Sequence, residues 1–354
     1  MKHHWIKGVL LIWMLHLMSL SYGQENLMTT VGEGVQPLFS SEAPLLLQLR
    51  YSNKAMKRET NDSTYLQSMI WFKEAHTSWD SLPVDLRARG NFRRANCYFA
   101  PLKLKLKNKH TKGNLFQGSE KIKMVLPCII DRNSGDYVLK EYLAYKLYEC
   151  VGTYYFKTRL TRIELFEERG KRKVEHNLIG FMIEDMNQVA ERYNGKEIKR
   201  IIHPLQHDAT ASIQNAFFEY MIANTDYSIK QQHNQKILFV EKRIIPVPYD
   251  FDMCGLVNAP YAAVTNIQNL SSSITQVTDR IYKGYEREEA RLNEVRKLFL
   301  EKKEEMLEEV TALENLFQDR NQYRQAHNFI KAFFDILEDD KKFSKNILGR
   351  LRTR

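Results

Sequence analysis

The sequence predicts an α+β protein, with a β-rich part over residues 24–184 and a helical part over residues 185–354. Three observations carry this. Leu102-Lys103-Leu104-Lys105-Leu106-Lys107 alternates strictly, the period-two pattern of a half-buried strand. Lys121-Ile122-Lys123-Met124-Val125-Leu126 repeats the device. Beyond Tyr285, Leu292, Val295, Phe299, Met306, Val310 and Leu313 recur at helical spacing, and Phe329, Phe333 and Leu337 mark a second stripe.

The elements follow in order. Residues 1–23 have a signal-peptide layout: basic Lys2 and Lys7, an apolar run from Val9, then Ser21-Tyr22-Gly23. The run is too short for a comfortable membrane span, so the chain is expected to be exported, to the periplasm or outside, and cut near Gly23. No later stretch is long and apolar enough to span a membrane. Residues 24–45 read as a lead-in, 45–51 as a strand, and 52–63 as a loop. Residues 65–76 fit either strand or helix. Residues 82–90 read as a strand running into a turn at Gly90-Asn91. Leu139, Leu143 and Leu147 share one face and predict a helix over 137–150. Residues 162–166 and 178–183 form a hairpin about the charged turn at Gly170. Residues 211–223 form a helix, and 236–240 and 243–248 form two short strands.

Composition narrows the class. The 354 residues are 43% hydrophobic and 27% charged, enough apolar side chain to exclude disorder. The formal net charge of +10 invites an anionic partner. Cys97, Cys128, Cys150 and Cys254 lack the CxxC spacing of a zinc site. In an exported chain they allow three disulfide pairings or remain buried thiols.

The chemistry-bearing stretch is Asn224-Thr225-Asp226, then His233-Asn234, then Pro248-Tyr249-Asp250-Phe251-Asp252. Carboxylates at a strand end beside an Asx-rich loop suit a hard cation such as Mg²⁺, which takes oxygen ligands. Phosphoryl transfer needs such parts: an Asp to orient or deprotonate the acceptor, an Asn and an Asp for the metal, and a Lys on the phosphates.

On these residues the chain resembles the CotH-type kinases, named for a spore-coat protein, and more distantly the HipA-type kinases. The upstream parts resemble that family too. They are the Arg-Gly-Asn turn at Arg89-Gly90-Asn91, the Lys-bearing strand from Pro101 to Lys105, the first helix from Tyr137, and the strand Gly180-Phe181-Met182-Ile183-Glu184 leading to an acidic hinge. The likeness covers about residues 85–260. It implies a two-lobed, atypical protein-kinase-like fold that moves a phosphoryl group from ATP, with Mg²⁺, to protein hydroxyls. By position it implies Asp226 as the catalytic residue and Asn234 with Asp250 or Asp252 as metal ligands. It implies Lys105, then Lys103, on the phosphates, with Glu141 as partner of that lysine. Arg89 and Glu184 complete the nucleotide set. The cluster Arg87, Arg89, Arg93 and Arg94 offers further phosphate contacts. The expected partners are a nucleotide and a protein acceptor, with nucleic acid a minor alternative. Two other readings stand beside this one: a non-catalytic binding protein, and a metal-dependent phosphoesterase using His233, Asp250 and Asp252.

Overall fold

A computed structural model describes residues 34–264 and 274–353. The expected leader over residues 1–23 lies outside the described residues. Among those described, no helix is long and apolar enough to cross a membrane.

The alternating segments become strands. β1 (Leu45–Tyr51), β2 (Leu66–Lys73), β3 (Asp80–Ala88), β4 (Leu102–Lys105) and β5 (Lys121–Val125) pair antiparallel in sequence order, up to the β4–β5 pair. β6 (Thr158–Arg169) and β7 (Arg172–Ile183) form the hairpin expected about Gly170, and β7 pairs with β5. β6 then runs parallel to β1, with Leu45 opposite Thr161 and Tyr51 opposite Glu167. The result is a closed barrel in the order β1-β2-β3-β4-β5-β7-β6. One side chain in two points inward, so Leu47, Leu49, Ile70, Leu86, Leu102, Leu104, Ile122, Met124 and Leu165 are all buried.

This closed barrel overturns the expected two-lobed kinase-like fold. Alternation reports which side of a strand is buried, and it says nothing about which edges meet. The closing seam joins strands far apart in sequence, and no local pattern marks it. The two short strands expected in the helical part appear as β9 (Gln235–Val240) and β10 (Arg243–Pro248), and an unforeseen β8 (Lys196–Ile198) joins them in a second sheet ordered β10-β9-β8.

Helices fill the rest. The expected loop after β1 contains α1 (Asn53–Glu59), whose Ser52 side chain accepts from Ala55 N. A helix start needs only such a cap and no apolar stripe, which is why periodicity missed it. α2 (Asn91–Asn96) replaces the expected basic turn, with Gly90 at φ 77° as its N-cap. α3 (Asn108–Thr111) links β4 to β5. α4 (Ser134–Val151) is buried on nearly every side, and its buried charges are partnered: Lys140 donates to Gln322, Glu141 pairs with Arg93 and Lys146 with Glu149. Its Tyr142 and Tyr145 rings meet Phe181 on the outside of β7. Its Asp136 carboxylate accepts from Gln318 N and Asp319 N at the start of a C-terminal helix.

α5 (Met186–Arg192) and α6 (Ala209–Met221) follow, then α7 (Glu289–Glu301), α8 (Lys303–Ala312), α9 (Arg320–Leu337) and α10 (Asp340–Asn346). Phe217 of α6 meets Phe299 and Phe343, and Phe299 meets Phe333, so the expected apolar stripes close one core. Residues Gln36–Arg354 form one compact unit. The structure holds one disulfide, Cys97–Cys128, and none of the three full pairings of four cysteines, since Cys150 and Cys254 remain thiols.

Candidate functional site

The acidic loop is built at the end of α6. Ala223 adopts φ 50° and turns the chain out of the helix. Asn224 Oδ1 then accepts from Asp226 N at 3.0 Å, an Asx turn. Ser228 and His233 exchange backbone hydrogen bonds and close the loop. Asn234, at φ 54°, donates its side-chain amide to both the carbonyl and the carboxylate of Asp226, at 3.0 Å each. Tyr249 N donates to Asn234 O, which sets Asp250 beside this pair. Asp250 sits at φ 68°, and its N–H donates to the Tyr145 hydroxyl of α4. Asn and Asp tolerate the left-handed region better than other side chains, and such residues cluster where geometry serves function. Asp226, Asn234 and Asp250 therefore lie beside one another.

Lys283 holds the loop from behind. It is 1% exposed and donates to Thr225 O (2.7 Å) and Tyr227 O (2.9 Å), the carbonyls on either side of Asp226. The sequence reading missed it. Its signal was a lone charge in the run Tyr282-Lys283-Gly284-Tyr285. Glu219 lies buried nearby, where desolvation pushes its carboxyl up to about 8.

A second support comes from Gly255. Its N–H donates to Ala223 O, and a β-carbon there would stand 2.7 Å from both the Ala223 β-carbon and Val277 O. Gly255→Ala is expected to destabilise the fold by about 1–3 kcal/mol in urea unfolding, because backbone must move to make room.

Asp252 parts company with Asp250. It turns inward, with 8% of its side chain exposed, and lies 3.6 Å from Arg93 Nε. Arg93 also pairs with Glu141 at 3.3 Å and donates to Leu126 O at 2.8 Å. The Cys97–Cys128 bond ties the same two segments together. Burial raises both carboxyls, with Arg93 opposing it. Burial also works against the Arg93 charge, and the two acids outweigh it. Glu141 therefore serves Arg93, not the expected strand lysine. Asp250, with 32% of its side chain exposed, is the better placed of the two aspartates to meet a ligand.

The remaining expected residues divide. Arg89 approaches Asp250 at 4.0 Å. Lys103 lines a cavity of about 510 Å³ with Lys121, Lys123, Lys236, Asp185 and Tyr249. Lys105 lies over Tyr65 and lines a different cavity with Asp85 and Lys107, so the structure separates two lysines that alternation could not. Glu184 is fully buried on Arg192 at 2.7 Å, so its carboxylate does not face a ligand as expected. Arg87 binds Asp62, and Arg94 binds the carbonyls of Lys57 and Thr60. Of the four expected arginines, Arg89 alone reaches the acidic loop.

The reading also missed Lys123. It packs against Phe156 and Tyr249, and burial, with Arg89 and Lys236 nearby, pushes its ammonium down to about 7. Its field couples to Asp250 as well.

No family model matches this chain, and no curated protein does. Function therefore rests on the geometry of the site. Among the described residues, no group of three or more His, Cys, Asp or Glu side chains is placed to hold a metal ion. Asp226 and Asp250 supply carboxylates and Asn234 an amide, residue types whose oxygens suit a hard cation.

Proposed function

We propose that this protein binds Mg²⁺ and a nucleoside triphosphate such as ATP, and transfers the terminal phosphoryl group to a protein hydroxyl. The observation that supports this is the meeting of oxygen donors and cations in one place. The Asn234 amide donates to Asp226, Tyr249 N donates to Asn234 O and so sets Asp250 beside that pair, and Arg89 adjoins Asp250. Lys103 and Lys123 line the neighbouring cavity. Phosphoryl transfer is mostly positioning and charge neutralisation, so these are the parts it requires.

In this reading the bond between the terminal phosphorus and its bridging oxygen breaks, and the nucleoside diphosphate leaves. The acceptor oxygen bonds to phosphorus, and its proton passes to Asp226. Asn234 and Asp250 would hold the metal, and Lys103, Lys123 and Arg89 would meet the phosphates. The phosphoesterase alternative loses Asp252, which Arg93 engages.

The test is a thermal shift with ATP, with and without Mg²⁺. At 100 times Kd, ligand linkage adds about 2.7 kcal/mol of stability. A rise that needs Mg²⁺ supports the reading, and no rise with any nucleotide refutes it.

A further inference from the structure

The outer face of β4 and β5 carries an unusual arrangement of charge. Lys103 stands directly opposite Lys123, and Lys105 directly opposite Lys121. Arg87 of β3 stands opposite Lys103 on the other side. Adjacent strands lie about 4.8 Å apart, and like charges directly opposite destabilise a sheet. Among the described residues these four lysines make no ion pair and no hydrogen bond with a side chain, and the acids that favour the Lys123 charge, Asp185 and Asp250, act on it without such a contact. Asp85 is opposite Lys105 without forming an ion pair, and Asp185, which lines the cavity, caps α5. Beyond the ladder, exposed Lys107, Lys109 and Lys112 extend the positive surface.

We infer that the Lys105–Lys121 end of this ladder binds an extended acidic polypeptide segment. Lys105 and Lys121 face each other across the strand pair, about 5 Å apart at their β-carbons, and their long side chains can each reach one of two alternate carboxylates of an extended chain, which repeat at about 6.6–6.8 Å. A nucleic acid fits less well. Single strands bind through open aromatic faces, and the rings here are already covered. Arg87 and Lys105 lie over Tyr65, Lys123 over Phe156, and Lys123 with Lys236 over Tyr249. If Lys103 and Lys123 meet the donor phosphates, the polypeptide at Lys105 and Lys121 is the acceptor. That last assignment rests on the transfer reading, and the binding surface does not.

The experiment uses the chain from residue 24 onward and a fluorescein-labelled peptide of alternating Glu and Ser. Anisotropy gives its affinity at low and at physiological ionic strength. Lys105→Gln/Lys121→Gln is expected to weaken binding about tenfold while the melting temperature holds or rises, because a repulsion is removed. Lys341→Gln/Lys345→Gln, on α10, is the charge-matched control and should bind as the parent does. Equal loss in both variants overturns the site, as does no loss in either. Displacement of the peptide by a lower concentration of an equally charged oligonucleotide overturns the choice of polypeptide. The nucleotide thermal shift is read on the same samples. Its absence from the parent would sink the transfer reading and leave the peptide result standing.

Discussion

Asp226→Asn is expected to lower phosphoryl transfer by about 10²- to 10⁴-fold while the Mg²⁺-dependent thermal shift by ATP persists. The range is what a positioned general base contributes. The substitution keeps the shape of the side chain. It also keeps the bond from the Asn234 amide to the residue 226 carbonyl, and the hold of Lys283 on the flanking carbonyls. What disappears is a charged proton acceptor, 26% exposed and facing His233 at 3.6 Å. The kinetic signature is a fall in kcat with a nearly constant KM for the nucleotide. Radiolabel transfer to a protein acceptor gives the first quantity and its concentration dependence the second. Full activity in the variant would remove Asp226 from the chemistry.

Arg93→Met is expected to destabilise the protein by about 3–5 kcal/mol, the usual cost of removing one partner from a buried ionic cluster. The guanidinium is 6% exposed and faces Glu141, Asp252 and Leu126 O. Without it two buried carboxyls remain uncompensated, and both move further above their unfolded values. A carboxyl raised on folding loses stability as pH climbs from its unfolded to its folded value. The deficit should therefore be smaller under mildly acid conditions and larger toward neutral and alkaline pH. Urea midpoints of parent and variant across that range measure it. Adding Glu141→Gln to Arg93→Met should recover part of the loss, since the pair is coupled. A deficit below 1 kcal/mol at every pH would show that the cluster does not support the fold.

These two residues mark what sequence can and cannot disclose. Asp226, Asn234 and Asp250 were readable because local chemistry, Asx turns and a strand end, builds their meeting place. Arg93 read as a basic turn residue, because nothing local tells a solvated arginine from one swallowed by distant acids. Glu141 looked like a partner for a lysine, and the third participant, Asp252, lies on another segment. Alternation located the β4 and β5 lysines on one face. It could not say that Lys103 borders the acidic loop while Lys105 does not, which depends on what packs beside the barrel. Lys123 was in view as a strand residue, and its importance appears only in the register that sets it against Lys103. The expected two-lobed fold gives way to a barrel because β1 pairs in parallel with β6, a long-range contact that no short-range signal encodes.

That pairing dictates an order of events during synthesis. Gln48 on β1 bonds Glu164 on β6, a separation of 116 residues. The β6–β7 hairpin can zip as soon as its turn emerges, whereas β1 must wait with one unpaired edge until β6 exists. Closing so long a loop is slow, and an open strand edge in the interval is an invitation to neighbouring chains. Nascent chains halted before Ile183, the end of β7, would therefore stay sticky, and longer ones would seal themselves.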